Sequence, residues 1–271
     1  MLFVSRLLTT PVKGTRIVER RTLELGLGGA ASDRLFYLVD DRGRVVNGRQ
    51  HGPLAEIGSR FDPADGRLTL TFPGGETVAA PVRVGGEQVR TDFFSHDTMG
   101  EVVDGPFAAA LTRHAGRDLR LVRVVEPGAG SDRHPLSIVS SASLDFLRTR
   151  SEDALEVDAR RFRMLIEVSG CRPHEEDTWT GGVLRGGTVA LRVLETVPRC
   201  SVVRQDPATG LRSFDALRAL LEYRKSRDSR YRWPVVQPPE ARQIMFGVYA
   251  VVEQPGTLSL GDEIEFAAAD L

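Results

Sequence analysis

The sequence predicts a mainly β, α+β fold. Short alternating or β-branched runs recur along its 271 residues, turn residues separate them, and only three stretches read as helices. This pattern belongs to barrels or sandwiches and argues against an array of βαβ units.

The elements follow in order. Residues 35–40 turn at Asp41-Arg42-Gly43-Arg44 into Val45-Val46, and residues 67–72 turn at Pro73-Gly74-Gly75 into residues 77–82. Both read as hairpins, because glycine and aspartate supply the backbone angles that tight turns need. Residues 107–114 form a short apolar-faced helix, and residues 119–125 a strand. Residues 126–134, Glu-Pro-Gly-Ala-Gly-Ser-Asp-Arg-His, have the composition of a linker. They set a soft boundary between one domain over 1–125 and a second over 126–271. Ser140 and Ser141 are good caps for a helix over 143–150. Strands are expected at 162–168, 188–194, 200–203 and 244–252. A helix over 214–224 places Leu217, Leu220 and Leu221 on one face. Residues 225–242 read as a long loop over a pocket mouth.

Composition narrows the function. With 36 basic against 37 acidic residues the formal charge is -1, so no overall field draws nucleic acid or an anionic membrane. The apolar start is too short for a signal peptide, and no run reaches the roughly 18 to 20 apolar residues of a membrane helix. A cytoplasmic protein is expected. Two cysteines, Cys171 and Cys200, make neither a disulfide framework nor a zinc or iron–sulfur site, which need about four ligands. The five histidines lack metal-ligand spacing. A redox metal would therefore arrive inside a cofactor.

Cys200 lies in Pro198-Arg199-Cys200-Ser201, where the Arg199 guanidinium favours the thiolate that binds soft or redox metals. The plain alternative is a small buried hydrophobe. Asp206-Pro207-Ala208-Thr209-Gly210 reads as a hairpin turn. Ser140-Ser141-Ala142-Ser143 reads as helix capping or as a phosphate-binding helix N-terminus. Lys13 is one of two lysines beside 34 arginines; it and Arg34 read as surface cations or phosphate ligands.

Pro198-Arg199-Cys200 with Asp206-Pro207-Ala208-Thr209-Gly210 resembles the signature of the MOSC domain, the C-terminal region of molybdenum cofactor sulfurases. Arg161-Phe162-Arg163, Glu176-Asp177-Thr178-Trp179, Phe246-Gly247-Val248-Tyr249 and Gly256 to Asp262 look like further landmarks in the same order. Pro11-Val12-Lys13-Gly14, Asp33-Arg34 and Arg49-Gln50-His51 are similar to the β-barrel that precedes this domain in one branch of the family. That branch includes the mitochondrial amidoxime-reducing component and bacterial reductases of N-hydroxylated bases.

The resemblance implies a MOSC β-barrel packed with an N-terminal β-barrel domain, and a molybdenum cofactor (Mo-molybdopterin). Cys200 would be the metal ligand and catalytic centre. Lys13, Gly14, Arg34, Ser141, Ser143, Arg163, Arg199 and Tyr249 would surround the cofactor. The implied activity is reduction of N-hydroxylated small molecules such as amidoximes, hydroxylamines or N-hydroxy nucleobases. No Rossmann glycine signature or four-cysteine module is present, so electrons would come from a separate flavin or iron–sulfur reductase. The rival readings are a non-catalytic carrier of molybdenum cofactor or of sulfur on Cys200, and an enzyme that has replaced the cofactor and uses Cys200 as a nucleophile. The chain departs from the branch at Gly14, where serine is usual, at Pro198, where serine or cysteine is common, and at Met164-Leu165, where Pro-Asn is usual.

Overall fold

A computed structural model describes residues 1–93, 96–150, 157–224 and 244–269, and in it the chain is mainly β, with three α-helices among the described residues. The expected loop over 225–242 lies outside the described residues. In chain order come β1 (Leu2–Thr9), β2 (Val18–Arg20), β3 (Thr22–Gly26), β4 (Gly29–Ala30), β5 (Phe36–Val39) and β6 (Val45–Val46). Strands β5 and β6 are the first expected hairpin, with Leu38 opposite Val46. The Asp40 carboxylate accepts the Arg42 and Arg44 amides and so ties its turn.

Strands β7 (Gly58–Asp62), β8 (Arg67–Thr71) and β9 (Thr77–Pro81) form a three-stranded sheet whose β8–β9 turn is the second expected hairpin. β10 (Arg83–Phe93), β11 (His96–Asp104) and β12 (Arg120–Val124) join β5 and β6 in a sheet ordered β10-β11-β12-β5-β6. Helix α1 (Phe107–Ala115) buries Phe107, Ala110 and Leu111 among Phe36, Leu38, Leu68 and Leu121. Truncating any one of the large side chains here to alanine would cost about 2–5 kcal/mol.

The second half contributes β13 (Leu136–Ser140), helix α2 (Ser141–Arg148), β14 (Ile166–Ser169), β15 (Val183–Gly186), β16 (Val189–Arg199), helix α3 (Ala216–Arg224), β17 (Ile244–Gln254), β18 (Gly256–Ser259) and β19 (Glu263–Ala267). Seven strands close a barrel in the order β14-β13-β17-β16-β15-β19-β1, because β1 also pairs with β14. The barrel is filled by Leu7, Leu136, Ile138, Val168, Leu191, Val193 and Val248, with Trp179 beside them. The first strand of the chain therefore completes a barrel made otherwise from its second half. β18 likewise pairs with β3, a second tie between the two ends of the sequence.

Three local expectations are corrected. The strand expected at 162–168 begins only at Ile166. Residues before it form a tight turn in which the Met164 amide donates to the Ala159 carbonyl at 3.0 Å and Arg163 takes φ +53°. The strand expected at 200–203 is instead a 3-10 turn, Ser201–Arg204, and the strand ends at Arg199. Helix α3 buries Ala216, Ala219, Leu220 and Tyr223, while Leu221 is exposed.

Candidate functional site

A cavity of about 320 Å³ lies where the two halves meet, within the size range of small-molecule and cofactor pockets. Its walls bring together Lys13, Gly14, Arg34, Arg163, Arg199, Cys200 and Tyr249.

Lys13 and Arg34 come together because their segments hold each other. The Lys13 amide donates to the Phe36 carbonyl and the Arg34 amide to the Thr10 carbonyl, each at 2.8 Å. Asp33 accepts the Thr10 amide at 2.8 Å and also pairs with the Arg34 guanidinium. Gly14 turns at φ +95°, an angle that strains any side chain. Arg34 Nη2 donates to the Arg163 carbonyl at 2.9 Å, and Arg163 Nη2 to the Thr15 carbonyl at 2.8 Å. These two contacts hold Arg163 in its left-handed conformation, which a side chain occupies at a cost of about 1 kcal/mol or more.

The cations are crowded and poorly solvated. Burial lowers Lys13, with Asp132 opposing the shift and Arg34 adding to it. Burial, with the Arg34 charge beside it, brings Arg163 down to about 10. Burial opposes Arg34, yet Asp33 and Asp132 outweigh it and hold that guanidinium above its usual value. Such a cluster is chemically suited to an anion with several acceptor oxygens.

Cys200 sits at the end of β16, exposed. Its neighbour Arg199 is fixed inward. Nε donates to the Phe246 carbonyl at 2.8 Å, Nη1 to the Phe162 carbonyl at 3.0 Å, and Nη2 lies 2.7 Å from Met164 Sδ. Met164 thus packs beneath Arg199, Leu165 belongs to the barrel core, and neither lines the cavity. Burial brings Arg199 down to about 10 and pushes the Tyr249 phenol up.

After Cys200 the chain turns through Ser201–Arg204 into the Asp206-Pro-Ala-Thr-Gly segment. Asp206 Oδ1 accepts the Ala208 and Thr209 amides at 2.9 Å each. Burial would raise this carboxyl, but those amides hold it below the usual range. The turn docks on the first half. Gln205 Nε2 donates to the Gly48 carbonyl at 2.7 Å, and Gly210 packs so closely that a Cβ there would sit 1.8 Å from the Gly52 carbonyl oxygen.

Ser141 and Ser143 stand apart from the cavity. Ser140 is the N-cap of α2, its hydroxyl accepting the Ser143 amide at 3.0 Å and bonding Glu176 Oε2 at 2.9 Å. The Ser143 hydroxyl is buried and accepts the His174 amide at 2.7 Å. Residues absent from the sequence-based set also line the cavity: Asn47, Gly48 and Arg49 from the first half, and Asp132, Arg133 and His134 from the stretch read as a linker. The available signal was the run Asp132-Arg133-His134-Pro135 directly before the apolar strand β13. Among the described residues no group of His, Cys, Asp and Glu could by itself hold a metal ion, and no helix is long and apolar enough to cross a membrane.

A closed seven-stranded barrel with a basic cavity and a cysteine at its edge defines a class. The MOSC domain model matches residues 126–265, the MOSC N-terminal beta barrel domain model matches residues 1–112, and the chain belongs to the MOSC domain family. Among its relatives, human mitochondrial amidoxime reducing component 2 is 34% identical, over 96% of this chain and 82% of that protein. The bovine component 2 is 29% identical over the same shares. A zebrafish molybdenum cofactor sulfurase is 25% identical, over 83% of this chain and 31% of that protein.

Proposed function

We propose that the protein is a molybdenum-cofactor-dependent reductase of N-hydroxylated small molecules. The observation that carries this reading is the convergence of Lys13, Arg34, Arg163, Arg199 and the Cys200 thiol on one cavity of about 320 Å³. The donor set fits the group. Lys13, Arg34 and Arg163 would bind the phosphate, Gly14 and Tyr249 would flank the pterin, and Cys200 would ligate the metal. When bound, the cofactor supplies two-electron chemistry that no side chain can.

The chain's own residues hold, orient and desolvate. Arg199, locked on the Phe246 and Phe162 carbonyls, fixes the end of β16 and with it Cys200. The Asp206–Gly210 turn presses that segment against the first half. The relatives named for amidoxime reduction support the substrate class. Electrons would come from a separate flavin or iron–sulfur protein.

Molybdenum by mass spectrometry, with fluorescence of oxidised pterin, on protein from a cofactor-competent host tests the cofactor. Turnover of an aromatic amidoxime with reduced methyl viologen tests the reaction. Near-stoichiometric metal with turnover is expected. Metal without turnover would favour a cofactor or sulfur carrier, a reading that the exposure of Cys200 and the sulfurase relative also support. Folded protein that takes up neither metal nor pterin would sink the reductase and the cofactor carrier, and leave Cys200 to sulfur carriage or nucleophilic chemistry.

A further inference from the structure

Reduction of an N-hydroxyl group consumes protons as well as electrons: the N–OH group takes up two electrons and two protons and yields N–H and one molecule of water. The cations Lys13, Arg34, Arg163 and Arg199 are engaged with carbonyls or carboxylates and suit an anion better than proton transfer. His134 on the cavity wall, paired with Glu195, is still unassigned. His134 Nε2 lies 2.9 Å from Glu195 Oε1, and the second oxygen of Glu195 accepts Arg133 Nη1 at 3.0 Å. The His134 ring stands edge to face with Tyr249, centroids 5.3 Å apart.

The fold builds this arrangement. Tyr249 on β17 pairs across the sheet with Glu195 on β16 and with Ser137 on β13. His134 enters from the segment that leads into β13, so its ring lies over Tyr249 while its imidazole nitrogen reaches Glu195. Both Glu195 oxygens are used, which fixes the carboxylate and hence the ring. With Nε2–H given to Glu195, Nδ1 is the nitrogen left for a substrate, as in other carboxylate-oriented histidines. The side chain of His134 is 26% exposed, so the ring can regain a proton from solvent. His134 lines the same cavity as Tyr249, Arg199 and the Cys200 thiol.

We propose that His134 is the proton donor in this reaction and that Glu195 is its positioning residue. The inference rests on the reductase reading. As the N–O bond breaks, the doubly protonated ring of His134 gives its Nδ1 proton to the departing hydroxyl oxygen, which leaves as water, while Nε2–H stays with Glu195. The second proton, from solvent, ends on the amine nitrogen. The two electrons come from two molecules of a reduced one-electron carrier protein or, in vitro, from two of reduced methyl viologen.

The test compares metal-loaded wild type with His134→Ala, His134→Gln and Glu195→Gln, using an aromatic amidoxime and reduced methyl viologen. Both His134 variants are expected to keep wild-type molybdenum and pterin content and to lose about 100-fold in kcat, within the range of general acid catalysis. Added imidazole is expected to restore turnover to His134→Ala. Glu195→Gln is expected to lose about tenfold in kcat and to show a larger solvent isotope effect, since its histidine is less well held. His134 variants within about twofold of wild type, loss of metal from them, or no rescue by imidazole would overturn the relay alone. A metal-loaded wild type inert toward every N-hydroxylated compound would overturn the reductase reading, and the relay with it.

Discussion

The buried ammonium of Lys13 lies 2.7 Å from the carboxylate of Asp132, and Asp132 is itself half open to the cavity. The same ammonium donates to the Gly130 carbonyl at 2.8 Å and stands 4.9 Å from the centre of the Phe93 ring. Burial would raise the Asp132 carboxyl, but the Lys13 charge holds it below its usual value. Asp132 therefore stabilises the cation and also competes with any anion that needs it.

Asp132→Asn is expected to lower the stability of cofactor-free protein and to strengthen its binding of inorganic phosphate several-fold. Removing one partner of a fully buried pair costs about 3–5 kcal/mol; the exposure of Asp132 brings the expected loss to about 1–2 kcal/mol. Thermal melts across a phosphate titration measure both effects. An unchanged phosphate response would show that Lys13 does not face the anion site.

The contact between Gly210 and Gly52 carries a second prediction. Gly210 has φ +69°, and a Cβ there would fall 1.8 Å from the Gly52 carbonyl oxygen. Gly210→Ala must push the turn off the first half or distort it, at a cost of about 2 kcal/mol or more. Lower metal retention should accompany the lower melting temperature, because Cys200 and this turn are one segment. Wild-type retention at reduced stability would separate the turn from the site.

The resemblance to the MOSC family, carried by motifs in order along the chain, named seven residues that one cavity collects. Residue chemistry alone left Lys13 and Arg34 as surface cations and Cys200 as a small buried hydrophobe. The rest depended on pairing at long range. Asp132, Arg133 and His134 sit in a stretch whose glycine and serine content reads as a linker whether it spans solvent or lines a cavity. Ser141 and Ser143 matched a phosphate site by type, but neither lines the cavity, and the Ser143 hydroxyl accepts the His174 amide. Residues 162–165 alternate like a strand, yet Arg163 is turned to φ +53° by Arg34 and Thr15, which no local pattern reveals. The closure of the barrel by β1 was hidden for the same reason, since its partners β14 and β19 lie far along the chain.

His174 predicts the acid limit of the fold. Its ring is buried against Phe146, Tyr223 and Phe246, and burial, aided by the Arg224 charge, brings it down to about 2. The unfolded chain binds this proton near pH 6.5 and the folded chain does not, so stability falls as pH drops below about 6.5. The slope contributed is about 1.4 kcal/mol per pH unit. Glu176 acts in the opposite direction: burial and the Asp177 charge raise it, so it takes up a proton in the folded state first. His174→Asn, whose side chain tolerates φ +60°, should remove the histidine slope and leave the Glu176 contribution. Urea unfolding from about pH 4.5 to 7 checks this, and parallel curves for the two proteins would refute it.

Cys200→Ser isolates the ligand from the fold. Cys200 is exposed and belongs to none of the apolar clusters, so the change is expected to move stability by no more than about 0.5 kcal/mol. Serine keeps the size of the side chain but offers a hydroxyl with little affinity for a soft metal. Metal retention should therefore fall while the melting temperature holds. That combination distinguishes a ligand from a structural cysteine, whose removal would lower stability and metal content together. Full metal content in the variant would move the ligand elsewhere and leave Cys200 to the nucleophile reading.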